Sequence, residues 1–155
     1  MDNLINGNAV TTTLETTNDT ILDFGSKQPK IKAGERHFEI TKVYVERNCK
    51  TKYGIRDRVV VIYDIATTDD LGNEITVPLT QRYLASDYAE SHFAKTVYRL
   101  LGRAVGKRFD VKDLVGITGI AIISHNTTQA GDIFANIDCF VKVNQTEEML
   151  LAGSF

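Results

Sequence analysis

The chain has 155 residues, 43% of them hydrophobic and 25% charged, with a formal net charge of -2 at pH 7. That length fits one domain with a real core, since a domain of this size hides about 68–70% of its unfolded surface. The near-neutral balance excludes a polyelectrolyte, and no apolar run approaches the roughly 20 residues of a membrane-spanning helix.

Residues 1–34 differ from the rest. Thr11, Thr12, Thr13, Thr16, Thr17 and Thr20 crowd this stretch together with Asn3, Asn6, Asn8 and Asn18. No period persists, so an extended N-terminal arm is expected. Ile21, Leu22 and Phe24 form a small apolar cluster in it, and self-association through the arm is expected to use these three residues. Pro29 and Gly34 mark the boundary with the globular part. A first strand is predicted over 37–47, where Phe38, Ile40, Val43, Tyr44 and Val45 are β-formers. Residues 48–55 read as a loop, and 58–66, with Val59, Val60, Val61 and Ile62 at its centre, as a buried strand. Asp69, Asp70 and Gly72 punctuate a turn. Residues 74–83 alternate, Ile75, Val77, Leu79, Gln81 and Tyr83 against Thr76, Pro78, Thr80 and Arg82, and Pro78 points to an edge strand or a bulge.

The period then changes. Ser86 is an N-cap candidate, and Ala89, Phe93, Val97, Leu100 and Ala104 recur at helical spacing, predicting one amphipathic helix over 86–103. Residues 110–114 add a helical turn. Two strands follow, 117–125 and 133–143. In the second, Ile133, Ala135, Ile137, Cys139 and Val141 are expected on one face, with Phe134, Asn136, Asp138, Phe140 and Lys142 on the other. Residues 144–155 read as a short tail.

Three strands, a helix and two strands is the element order of an OB-fold, a five-stranded Greek-key barrel left partly open. The predicted class is therefore mainly β: an OB-fold-like barrel over 35–143 with one helix between strands 3 and 4. An open α+β sheet with one helix packed on it has the same order. The chain also resembles the OB-fold single-stranded DNA-binding proteins of conjugative plasmids and phages of Gram-positive bacteria. The likeness spans about residues 32–143. It lies in Lys32-Ala33-Gly34-Glu35, the Lys50-Thr51-Lys52-Tyr53-Gly54 loop, the helix after Thr80-Gln81-Arg82-Tyr83, and Asp113-Leu114-Val115-Gly116 before strand 4. The resemblance implies sequence-nonspecific binding of single-stranded DNA in replication, conjugation or recombination. The acidic, proline-containing tip of bacterial single-strand binders has no counterpart in residues 144–155.

Charge is segregated along the chain. Residues 1–26 carry -4, 27–64 carry +5, 65–80 carry -3, 81–112 carry +4 and 113–155 carry -4. Two basic segments in one domain allow a positive stripe despite the acidic total. Binding unpaired strands needs cations along the phosphates and flat side chains under the bases. Arg47, Lys50, Lys52, Tyr53, Arg56 and Arg58 place five cations and an aromatic around one hairpin, read either as a phosphate contact or as a solvated hairpin. Arg82 and Tyr83 extend the track. Tyr63 and Tyr44 are stacking candidates or core residues. Phe134 and Phe140 are candidates of the same kind, for packing under the helix or against the arm. His125, Asn126 and Gln129 offer hydrogen bonds from the last hairpin.

No phosphate loop, nucleophile elbow or dinucleotide glycine pattern occurs, so no enzyme activity and no cofactor is expected. The cysteines Cys49 and Cys139 are too far apart for a disulfide framework or zinc knuckle, and His37, His92 and His125 are dispersed. Asp69, Asp70 and Glu74 read as a solvated turn, so no metal is expected either. The N-terminus shows no basic-then-apolar secretory signal, and the expected location is cytoplasmic, away from membranes. The expected partner is single-stranded DNA, with duplex DNA or RNA as further options. The alternative is a phage or plasmid structural module that uses the barrel to dock protein.

Overall fold

The computed structural model describes Thr20, Leu22 and residues 28–144. Five strands form one antiparallel sheet: β1 (Gly34–Thr51), β2 (Gly54–Thr68), β3 (Glu74–Leu84), β4 (Thr118–Thr127) and β5 (Ile133–Asn144). Between β3 and β4 lie the helix α1 (His92–Leu101) and a 3-10 turn at Val111–Leu114. The spatial order is β3-β2-β1-β4-β5. The long strand β1 joins the two halves, pairing through Gly34–Glu39 with β4 and from Phe38 onward with β2.

The sheet wraps its own core. Phe38, Ile40, Val59, Val61, Tyr63, Ile65, Ala121 and Ile123 alternate inward along β1, β2 and β4, as period-2 burial requires. Phe140 of β5 lies 6.1 Å from the Tyr63 ring of β2, although these strands do not pair. The helix turns Phe93, Val97 and Leu100 onto this cluster. Among the described residues no ladder joins β3 to β5, so the sheet keeps two edges and is not a closed barrel. Pro78 sits on the edge strand β3, where its missing N–H leaves no ladder bond unmade. No described helix is long and apolar enough to cross a membrane.

Four departures from the sequence reading have local causes. The stretch 48–55 is not a loop. The strands run on to Thr51 and Gly54, leaving a two-residue turn at Lys52 and Tyr53. Thr51 Oγ1 donates to the Gly54 carbonyl at 2.8 Å and accepts from the Tyr53 N–H at 3.1 Å. A bulge at Asn48 (φ 56°) is pinned by Asp57, whose carboxylate accepts from the Asn48 N–H at 3.0 Å and from Arg47 at 2.9 Å. Those bonds, the Asn48 N–H foremost, hold the Asp57 carboxyl below the usual range.

The helix is shorter than 86–103 because Ser91, not Ser86, caps it. Ser91 Oγ accepts from the Ala94 N–H at 3.1 Å, while Ser86 Oγ holds the Tyr88 N–H in the preceding turn. Gly102 ends it in the left-handed region at φ 73°. Ser91→Ala is expected to cost about 1 kcal/mol in urea denaturation, and Ser86→Ala clearly less.

In β5 the alternation breaks. The β4–β5 register slips between Ile120 and Ala121 and again between Ile122 and Ile123, which adds a residue to β5 each time. Ala135, Ile137, Phe140 and Val143 therefore pack on the core, whereas Cys139 and Val141 are exposed.

The last residues assigned to the arm belong to the body. Ile31 is buried in the core, and the Lys32 N–H donates to Thr67 Oγ1 at 3.1 Å. Of the apolar cluster, Leu22 is exposed; Ile21 and Phe24 lie outside the described residues.

Candidate nucleic-acid interface

Side chains that alternate away from the core on β1, β2 and β3 share one outer face. Register sets three successive rows across these strands: Glu46–Arg58–Leu84, Tyr44–Val60–Arg82 and Lys42–Ile62–Thr80. Val60, flanked by Tyr44 and Arg82, is fully buried on this face and makes it a floor rather than a loose fringe. Where the β1–β2 hairpin rises beyond the rows, Lys50, Lys52, Tyr53, Arg58, Arg82 and Leu84 line one cleft of about 770 Å³.

Cations and rings are interleaved there. Tyr53 is 61% exposed, and the Lys52 ammonium lies 5.1 Å from its ring centre. The arrangement repeats on the floor, with Lys42 Nζ 5.3 Å from the Tyr44 ring. Arg82 is held by Glu46 at 3.3 Å, which orients the guanidinium and offsets part of its charge. Lys50, Lys52 and Arg58 have no acidic partner among the described residues. Chemically the cleft offers phosphate-binding cations beside flat apolar surfaces, open on one side to an extended ligand.

Five of the residues singled out in the sequence thus come together: Lys50, Lys52, Tyr53, Arg58 and Arg82. The others do not. Arg47 and Arg56 line a separate cleft with Asp57, Ser86 and Lys107. The Asn48 bulge turns Arg47 onto Asp57, and Arg56 reaches the Ala85 carbonyl at 3.4 Å. Tyr63 and Tyr83 are corrected to core residues. They are 0% and 4% exposed and share a hydroxyl–hydroxyl bond of 2.8 Å. Burial pushes both phenols above their usual pKa. His125 lies beyond the opposite end of β1, where its Nε2–H donates to the Ile31 carbonyl at 2.7 Å and ties down the incoming chain. Phe140 is packed 5.2 Å from Phe38, whereas Phe134 is exposed beside Pro29 and Ile31.

Lys42, absent from the sequence-predicted site, and Tyr44, expected to stack or to lie in the core, both stand on this face. The signal was present, since Lys42, Tyr44 and Glu46 alternate outward at period 2. The bulge at Thr41 shifts that period against Phe38 and Ile40 and disguised it. No protein-family model and no curated protein sequence matches the chain.

Proposed function

We propose that this protein is a non-enzymatic binder of single-stranded DNA, without sequence preference, built on a half-open OB-type barrel. The observation that carries the reading is the cleft that gathers Lys50, Lys52, Arg58 and Arg82 around the exposed ring of Tyr53. The fold supports it in three ways. The order β3-β2-β1-β4-β5 is that of an OB-fold opened between its third and fifth strands. Those two edges flank common clefts, Val77 and Leu79 with Phe134 and Ala135, then Gln81 and Tyr83 with Ile137 and Phe140, so the strands approach in parallel. The helix between strands 3 and 4 packs Phe93, Val97 and Leu100 on the core. The hairpin and the strand 2–3 face are also where this fold binds oligonucleotides. Action in plasmid or phage DNA processing rests on the resemblance in residues 32–143 alone.

Fluorescence anisotropy with random single strands tests the proposal. With five cations on the face (Lys42, Lys50, Lys52, Arg58 and Arg82), log K should fall against log salt with a slope of about -3.5. Tyr53→Ala removes a stacking surface and should weaken binding by about 1–3 kcal/mol at every salt concentration. Equal retention of an uncharged polymer would leave the protein-docking alternative, and unchanged affinity in Tyr53→Ala would remove the hairpin tip from the site.

A further inference from the structure

The outer face of β1, β2 and β3 changes sign along its length. From the hairpin tip it presents Lys50, Lys52, Arg58, Arg82 and Lys42, interrupted by Glu46, which is paired to Arg82. Past Lys42 the β1 register slips, and the next row outward is Glu39–Asp64–Pro78. Glu39 and Asp64 line an adjoining cleft of about 440 Å³ with His37, Thr76 and Thr118. Neither carboxylate is ion-paired among the described residues. A phosphate reaching this row comes within the ~8–10 Å over which charges act at moderate salt, and is repelled.

The basic stretch therefore has a definite length. From Gly54 at the tip to Ile62 beside Lys42 the strand advances about 27 Å, at ~3.4 Å per residue. A single strand whose bases lie on aromatic side chains is drawn out to roughly twice the ~3.4 Å rise of a duplex strand. We infer that this face seats about four to five nucleotides, between the hairpin tip and the Glu39–Asp64 row, which ends the track by repulsion. The inference rests on the nucleic-acid reading above and adds to it a site size and a boundary. Two Lys–Tyr pairs, Lys52–Tyr53 near one end and Lys42–Tyr44 near the other, mark the places where bases stack.

The test is a length series of fluorescein-labelled oligothymidylates, from about 3 to about 12 nucleotides, titrated with the full chain at low salt. Affinity should climb steeply up to about five nucleotides and then rise only by the statistical factor of added registers. Glu39→Lys with Asp64→Lys should extend the climb by about two nucleotides and tighten the longest oligonucleotides several-fold, with the tetramer unchanged within about twofold. Glu39→Gln, a milder change at an exposed position, should act in the same direction to a smaller extent. Equal gains per nucleotide beyond about eight in the native chain, or a length profile unmoved in both variants, would overturn the inference. Failure of the native chain to bind any oligonucleotide would instead overturn the nucleic-acid reading itself.

Discussion

Replacing Lys50, Lys52 and Arg58 together by alanine should remove most of the salt dependence of binding. Each phosphate neutralised on a single strand contributes about 0.7 to the slope of log K against log salt. With five cations engaged, affinity should fall about 100-fold between about 50 and 200 mM salt; with Arg82 and Lys42 alone it should fall about 7-fold. The effect separates this cleft from its neighbour. Arg47→Ala with Arg56→Ala removes two charges from the same hairpin, yet these point to the other cleft, and Arg47 is already paired to Asp57. That double variant should keep the native slope. The two variants remove three and two charges from neighbouring positions, so a slope lost in the first and kept native in the second reports where the cations lie rather than how many there are. Equal flattening in both would mean that the strand contacts the hairpin from all sides.

How much of this could be read in advance depended on what each signal records. The strand core Val59-Val60-Val61 and the edge position of Pro78 follow from side-chain chemistry that acts over one or two residues, and both were legible. So was the concentration of Lys and Arg around the hairpin. What could not be read was the facing of each cation. Arg47, Arg56 and Arg58 look equivalent in the sequence; a bulge at Asn48, fixed by a carboxylate nine residues away, decides which of them meets Lys52. The same holds for Tyr53 and Tyr63. One occupies a two-residue turn, the other an inward position on β2, and only the register of that strand separates them. In β5 two bulges put Phe140 in the core where strict alternation assigns it outward. Bulges are single-residue events whose cost is recovered in tertiary packing, so no local pattern announces them.

Gly119→Val should be the most damaging single change in the sheet. Gly119 sits where β1 passes from its β4 partner to its β2 partner: Phe38 is in register with Gly119 on one side and Ile65 on the other. A Cβ at Gly119 would overlap the Lys142 carbonyl oxygen of β5 and lie 2.9 Å from Phe38 Cε1. The first obstacle is backbone within a ladder and cannot swing aside; the second is a buried ring already packed on Phe140. Overpacking of this kind costs about 3 kcal/mol, which for a domain of this size lowers Tm by roughly 6–12 °C. Pairing it with Phe38→Leu should restore only part of the loss, because the Lys142 backbone remains in the way. Gly72→Ala is the informative contrast. Nothing lies within 4 Å of a Cβ there, but φ is +84°, so the cost is that of a left-handed alanine, about 1–2 kcal/mol. Urea denaturation of the three variants orders them by cause. If Gly119→Val proved no less stable than Gly72→Ala, then β4 and β5 would not meet as closely as the packing of Phe38 requires, and the tight curl that presents the outer face would be lost with it.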